Sequence, residues 1–323
     1  MFRLLFFCLS GVLLAAPVSA QLSPKWPERP IRFIVPFQPG SSSDTVARII
    51  GQKLGERLGQ QLVVENRVGA SGNLGTEAVA RADPDGYTIG LANTSTHVIA
   101  ASLSSSLGYD PIKDFAPVAM LGSSPFILSV HRGLAANNIP ELIALAKTKP
   151  RSLSYASAGP ASSSHLAGAL FEKLAQVELV HVPYRGSAQS VLDLVEGRVD
   201  IQFGTIPPTL ALVRDGRVRA LAVTGDKRSP AIPEVPTIAE SGVRDYEASL
   251  WQAIVVPAAT PAAIVQRLNR EVIATLASPD VKLTLEKQGI ELEPSTPEQL
   301  ATRIRTDLVK WSEVIRGAGI RAQ

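Results

Sequence analysis

Short apolar runs and amphipathic runs take turns along almost the whole chain, and this alternation constrains the fold more than any other feature of the sequence. The segment 31–37 is apolar and β-branched and is stopped by Pro39-Gly40; Val46, Ile50, Leu54 and Leu58 then recur at helical spacing. The unit is strand, turn, helix. It repeats with a strand over 62–64, a helix over 73–81 and, after the turn Asp83-Pro84-Asp85-Gly86, a strand over 87–92. Further strands are expected at 126–130, 153–156, 179–182, 199–203 and 219–223, with helices over 140–148, 163–175 and 187–196 between them. One more strand falls at 250–256, and 261–277 and 297–315 read as amphipathic helices with proline in their first turns. Strands that alternate with helices predict an α/β fold of mainly parallel sheets with helices on both faces.

Length divides this fold. Residues 21–323 exceed the ~250–300 at which a single core stops growing, so two lobes are expected. The loop-rich zones are 100–118 and 225–248, which places the lobes at 21–122 plus 247–323 and at 123–246, with two crossings acting as a hinge. Residues 1–20 read as a signal peptide: Met-Phe-Arg, an apolar run from Leu4 to Ala16, and an end at Ala20. That run falls short of the ~20 residues a spanning helix needs, so export to the periplasm is expected. The only cysteine, Cys8, lies in this leader, and no disulfide is expected in the mature protein. The net charge of +3 comes from interspersed acids and bases, without the basic stripe that marks a nucleic-acid surface.

Two segments stand out chemically. In Val35-Pro36-Phe37-Gln38-Pro39-Gly40-Ser41-Ser42-Ser43-Asp44 a strand opens through glycine and serines into a helix, whose first N–H groups and positive dipole end suit an anion; ordinary capping by Ser43 or Asp44 explains the same residues. Ser154-Tyr155-Ala156-Ser157-Ala158-Gly159-Pro160-Ala161-Ser162-Ser163-Ser164-His165 repeats the logic in the other half. One such start on each lobe could clamp a carboxylate across a cleft, at the carboxyl ends of strands where open α/β sheets bind ligands. His97, His131, His165 and His181 form no metal-binding pair, and His165 reads as a first-turn residue bonded to nearby backbone, with a Ser-His catalytic pair as the alternative. No nucleophile elbow, phosphate-binding loop, dinucleotide fingerprint or zinc-helix motif occurs, so neither an enzyme nor a cofactor is expected. Arg185 could meet an anion or be merely solvated; Asp200, at the start of a strand, could accept a ligand N–H or bond a nearby turn.

These segments, with Trp26-Pro27-Glu28-Arg29-Pro30, Val64-Glu65-Asn66-Arg67, Asp83-Pro84-Asp85-Gly86-Tyr87, His181-Val182-Pro183-Tyr184-Arg185-Gly186 and Gly197-Arg198-Val199-Asp200, resemble the Bug-type (TctC-like) receptors of tripartite tricarboxylate transport systems from Trp26 to the end of the chain. The resemblance implies a periplasmic-binding-protein-like, Venus-flytrap fold in which the first lobe also holds the C-terminal helices. It implies a small organic acid or related amide as ligand, held by Phe37, Gly40, Ser41, Ser42 and Asp44 on one lobe and by Ser157, Gly159, Ser162 and Ser163 on the other, with Asp200 at the distal end. The partners implied are membrane transporter subunits, or alternatively a membrane sensor, with the receptor itself a monomer. A periplasmic serine hydrolase is the competing enzyme reading. The sequence departs from the family at Ser41, where a second glycine is usual, so the first loop is expected to be bulkier and more polar.

Overall fold

The computed structural model describes residues 26–103, 107–184 and 187–320; the leader expected over 1–20, Cys8 and Arg185 lie outside the described residues. The chain opens with β1 (Ile31–Val35), α1 (Ser42–Leu58), β2 (Leu62–Asn66), α2 (Asn73–Ala80), β3 (Thr88–Asn93), a short α3 (Ala100–Leu103) and the long β4 (Phe115–His131). It continues through α4 (Ile139–Thr148), β5 (Ser154–Ser157), α5 (Ser163–Ala175), β6 (Val180–Pro183), α6 (Ser187–Val195), β7 (Ile201–Thr205), α7 (Ile206–Arg214) and β8 (Val218–Val223). It closes with β9 (Ser249–Pro257), α8 (Ala262–Leu276), α9 (Pro279–Lys287), β10 (Glu291–Leu292) and α10 (Pro297–Gly317).

Two sheets result. In the first, β2, β1 and β3 run parallel, and β9 lies antiparallel between β3 and β4. In the second, β6, β5 and β7 run parallel, and β4 lies antiparallel to both β7 and β8. The sheets are thus mixed rather than mainly parallel as expected: β1–β3 and β5–β7 pair in parallel, whereas every pairing of β4 and β9 is antiparallel. β4 itself is continuous: its ladder with β9 ends at Pro125↔Ser249, and its ladder with β7 begins at Phe126↔Thr205. One strand thus passes from sheet to sheet.

The core forms on both faces of the first sheet. On one side Ile31, Phe33, Ile50, Leu54, Ile254 and Leu268 are fully buried between the strands, α1 and α8, each contributing on the order of 1.5–3 kcal/mol. On the other side, Trp251, Leu300, Ile304 and Trp311 share one apolar cluster with Leu166, Leu170 and Phe171 of the second lobe, so α10 packs against both lobes. Its start is fixed by Thr296 and Gln299, which cap each other's backbone N–H groups, with Pro297 in the first turn. Trp251 Nε1 donates to Asp307 at 2.8 Å. Glu247, which burial alone would push toward the neutral form, is held below the usual carboxylate range by Lys310 at 2.6 Å and Arg303 at 3.1 Å.

Candidate ligand-binding cleft

The first loop owes its shape to Gly40 and Asp44. Gly40 has φ +78, which a glycine adopts without strain, and it turns the chain from β1 into α1. Asp44 is 3% exposed and gathers the loop around its carboxylate, accepting from the Gly40 amide at 2.8 Å, from Asn66 Nδ2 at 2.8 Å and from Arg48 Nε at 3.0 Å. Burial opposes ionisation here, but these bonds and the Arg48 charge outweigh it and hold the carboxyl below its ordinary value. Asn66 Nδ2 also donates to the Phe37 carbonyl at 3.0 Å, tying in the start of the loop. The helix cap is Ser41, whose Oγ accepts from Asp44 N at 3.2 Å. Ser41 sits at φ -68 and ψ 161, a conformation open to any residue, so a serine here costs no strain and supplies the cap. Among the described residues the amides of Ser42 and Ser43 are left without a bonded acceptor, the ordinary condition of a helix's first turn.

The second loop is built the same way. Ser162 caps α5 through His165 N at 3.2 Å and donates to the Gly159 carbonyl at 2.7 Å. Ser164 Oγ accepts from Ala158 N at 2.9 Å, and His165 Nδ1 accepts from Ala161 N at 2.9 Å, the backbone bond expected of a first-turn histidine. Ser157 is 1% exposed; its Oγ lies 3.1 Å from the Gly159 carbonyl and 2.7 Å from His181 Nε2. His165 and His181 stack with centroids 3.7 Å apart and planes 4° apart. Burial lowers both, His165 to about 4 with help from the adjacent His181, so the pair is neutral at pH 7. A buried serine whose histidine has no carboxylate behind it among the described residues cannot serve as a nucleophile toward an outside substrate. The loop spends its hydroxyls on its own backbone, leaving the Ser163 and Ser164 amides as its unengaged donors among the described residues.

Ser95, just beyond β3, and Ser163 approach across the cleft with their Oγ atoms 3.5 Å apart. A separate cavity of about 200 Å³ is lined by neither of them. Gly40, Ser42 and Thr45 form its first-lobe wall, and Ser124, Phe126 and Leu250 form its floor on the crossing strands. The rest of the lining is Thr205, Ile206 and Pro208, at the start of α7, with Gln288 and Gly289 after α9. Of the ten residues expected at the site, Gly40 and Ser42 line this cavity, Ser163 faces the cleft, and Phe37, Ser41, Asp44, Ser157, Gly159 and Ser162 hold the two loops in shape. Asp200 is not brought there: its carboxylate accepts from Ser154 N at 2.7 Å and Ser154 Oγ at 2.8 Å, at the amino ends of β5 and β7. Binding a nearby turn, the other reading of Asp200, is what this geometry shows.

Sequence reasoning missed Asn93, Ser95, Thr205 and Gln252. Asn93 and Gln252 are 2% and 1% exposed and reach Ser43 and Ser42 at 3.5 and 3.4 Å, backing the first loop from below. The polar run Asn93-Thr94-Ser95-Thr96-His97, directly after a wholly buried strand, was the available signal. His97 itself is structural: fully buried against Phe115 and Tyr109, it bonds Thr96 Oγ1 at 3.0 Å and is driven down to about 3 by burial. Among the described residues no cluster of three metal-ligating side chains occurs, and no helix is long and apolar enough to cross a membrane.

Comparison with known proteins gives a consistent picture. The model of a family described as "Tripartite tricarboxylate transporter family receptor" matches residues 46–320. A UPF0065 protein from the tcbD-tcbE intergenic region of Pseudomonas sp. strain P51 is 41% identical over 95% of this chain and 92% of its own. Protein BugT of Bordetella pertussis is 36% identical over 98% of this chain and 96% of its own. Among solved structures, Rpa4515 of R. palustris with adipate shares 37% identity at a TM-score of 0.78, covering 92% of this chain and 99% of that one.

Proposed function

We propose, from the premise that this chain belongs to the tripartite tricarboxylate transporter receptor family, that it captures a small carboxylate between its two lobes and presents it to membrane transporter subunits. The family consists of periplasmic solute-binding proteins, not enzymes. The observation that carries the finer reading is the cleft at the carboxyl ends of the strands, where the first turns of α1 and α5 each offer two unengaged backbone N–H groups. Both loops are braced by internal hydrogen bonds, so the donors are already positioned before a ligand arrives. A ligand that touches both walls favours the closed arrangement by its differential affinity and need not be altered. The residues we assign to ligand contact are Gly40, Ser42 and Ser163, and we place the lobe division at the two crossings, within β4 and ahead of β9.

The test is Ser42→Glu. It sets a like charge against the anion at an exposed first-turn position that tolerates glutamate. The variant should keep the parent's melting temperature and lose the ligand-induced shift in melting temperature given by small carboxylates. An undiminished shift would remove α1 from the site.

A further inference from the structure

The two crossings between the lobes run side by side, and the bonds along them change lobe at one level. In β4 the ladder with β9 ends at Pro125, and the next residue, Phe126, opens the ladder with β7. In the other crossing, Tyr246 Oη donates to the Ala167 carbonyl of α5 at 2.9 Å and Ala248 N donates to the Thr224 carbonyl at 2.8 Å, both in the second lobe. Glu247, between them, is held by Lys310 and Arg303 of α10. From the Ser249 carbonyl onward the bonds go to the first lobe: that carbonyl accepts from Thr94 Oγ1 at 3.4 Å, and Trp251 N donates to the same hydroxyl at 3.1 Å. Ser249 and Pro125 are partners in register, so both handovers fall at the same height.

Thr224, just beyond β8 and fully buried, joins the crossings to each other. Its hydroxyl accepts from Phe126 N at 2.7 Å and donates to the Ala248 carbonyl at 2.5 Å, while its backbone N donates to the Phe126 carbonyl at 3.0 Å. Accepting and donating through one atom is what a hydroxyl supplies and a methyl group cannot. Both crossings therefore enter the second lobe as one unit, and Thr94, also buried, anchors the second crossing on the first lobe. We infer that the lobes pivot at Pro125–Phe126 and Ala248–Ser249, and that Thr224 and Thr94 are the positioning residues that fix the angle between them. The inference rests on the reading of the protein as a receptor that closes on its ligand. Between the anchored groups, the free torsions are those around Ala248 and Ser249 in one crossing and, in the other, those joining Pro125, whose ring already fixes φ, to Phe126. A few residues at the ends of elements are enough to absorb a hinge rotation.

The experiment is a pulsed electron-resonance distance measurement on the purified protein, carrying Cys8→Ser at its one cysteine and spin labels attached through Gln52→Cys in α1 and Lys147→Cys in α4, exposed positions on opposite lobes. Thr224→Val keeps the shape of the side chain and removes the hydroxyl. It should widen the interlobe distance distribution and speed hydrogen exchange of the Phe126 amide about 10-fold; Thr94→Val should widen the distribution as well. Thr224→Ser, which keeps the hydroxyl, should return the parent's distribution. Thr275→Val, which removes an equally buried hydroxyl bond in α8, should leave it unchanged. A distribution unmoved by the valine variants at Thr224 and Thr94, or widened as much by Thr275→Val, overturns the pivot. Should one of those two variants fail to fold, the other decides. The melting temperature with adipate keeps this result separate from the receptor reading. Stabilisation by adipate alongside unmoved distributions overturns the pivot alone, whereas distributions widened as expected support the pivot even where adipate leaves the melting temperature unchanged.

Discussion

Asp44, in the first turn of α1, and Asp200, just ahead of β7, are both marked by the sequence as candidates for ligand contact. In the structure each accepts from the protein's own donors, Asp44 through both oxygens from Gly40, Asn66 and Arg48, and Asp200 through Oδ2 from Ser154. Their work is to hold loops. For Asp44, itself buried, replacement by alanine would leave the Gly40 and Asn66 donors without this acceptor; urea denaturation of Asp44→Ala should report a loss of about 1–2 kcal/mol. Because the folded carboxyl sits below its ordinary value, that stabilisation is present above about pH 4 and disappears as pH falls through the folded value. A stability deficit of Asp44→Ala that does not shrink at any pH below about 4 would contradict this account. Residue types at strand ends could be read from the sequence, but which oxygen meets which donor depends on Asn66 and Ser154, distant in the chain and adjacent only in the fold.

Among the elements, the legible ones were those whose start and stop residues also do the physical work. α5 begins and ends where the pattern places it because Ser162 caps it and the apolar spacing runs out at Ala175. Ser41→Ala and Ser162→Ala should each cost about 1 kcal/mol in denaturant unfolding, and their effects should add in the double mutant because the caps share no partners. Several elements were not legible, the short α3, α9 and β10 among them, and two show why. α7 begins Ile206-Pro207-Pro208, a sequence that reads as a break, although prolines are tolerated in a first helical turn. The first half of β4 contains Pro117, Gly122 and Pro125, which argue against a strand, and its register with β9 slips twice to accommodate them.

At the scale of the molecule, the alternating pattern and the length were enough for a two-lobed α/β fold, but not for the cavity. Its walls come from residues as far apart as Gly40, Ser124, Thr205 and Leu250, and only the topology brings them together. Burial of neutral histidines also has a global effect. His97 and His165 are depressed to about 3 and about 4, so below about pH 6.5 the unfolded chain takes up protons that the folded one refuses. Stability is complete above that pH and falls as pH drops toward the folded values, by a few kcal/mol in total. Urea midpoints at pH 7.5 and pH 5 should differ accordingly, and His97→Gln should flatten the difference. Equal midpoints would mean that the histidines are not buried as described.

The position of β9 has a consequence for how the protein is made. It lies in the middle of the first sheet, between β3 and β4, yet it is the ninth strand to leave the ribosome. Until residues 249–257 emerge, β3 and β4 have no strand to join them, and each offers an open edge. The second sheet needs nothing beyond β8 and can assemble first. The pairing of the second sheet is therefore complete earlier in the chain than that of the first, in which β3 and β4 wait for β9.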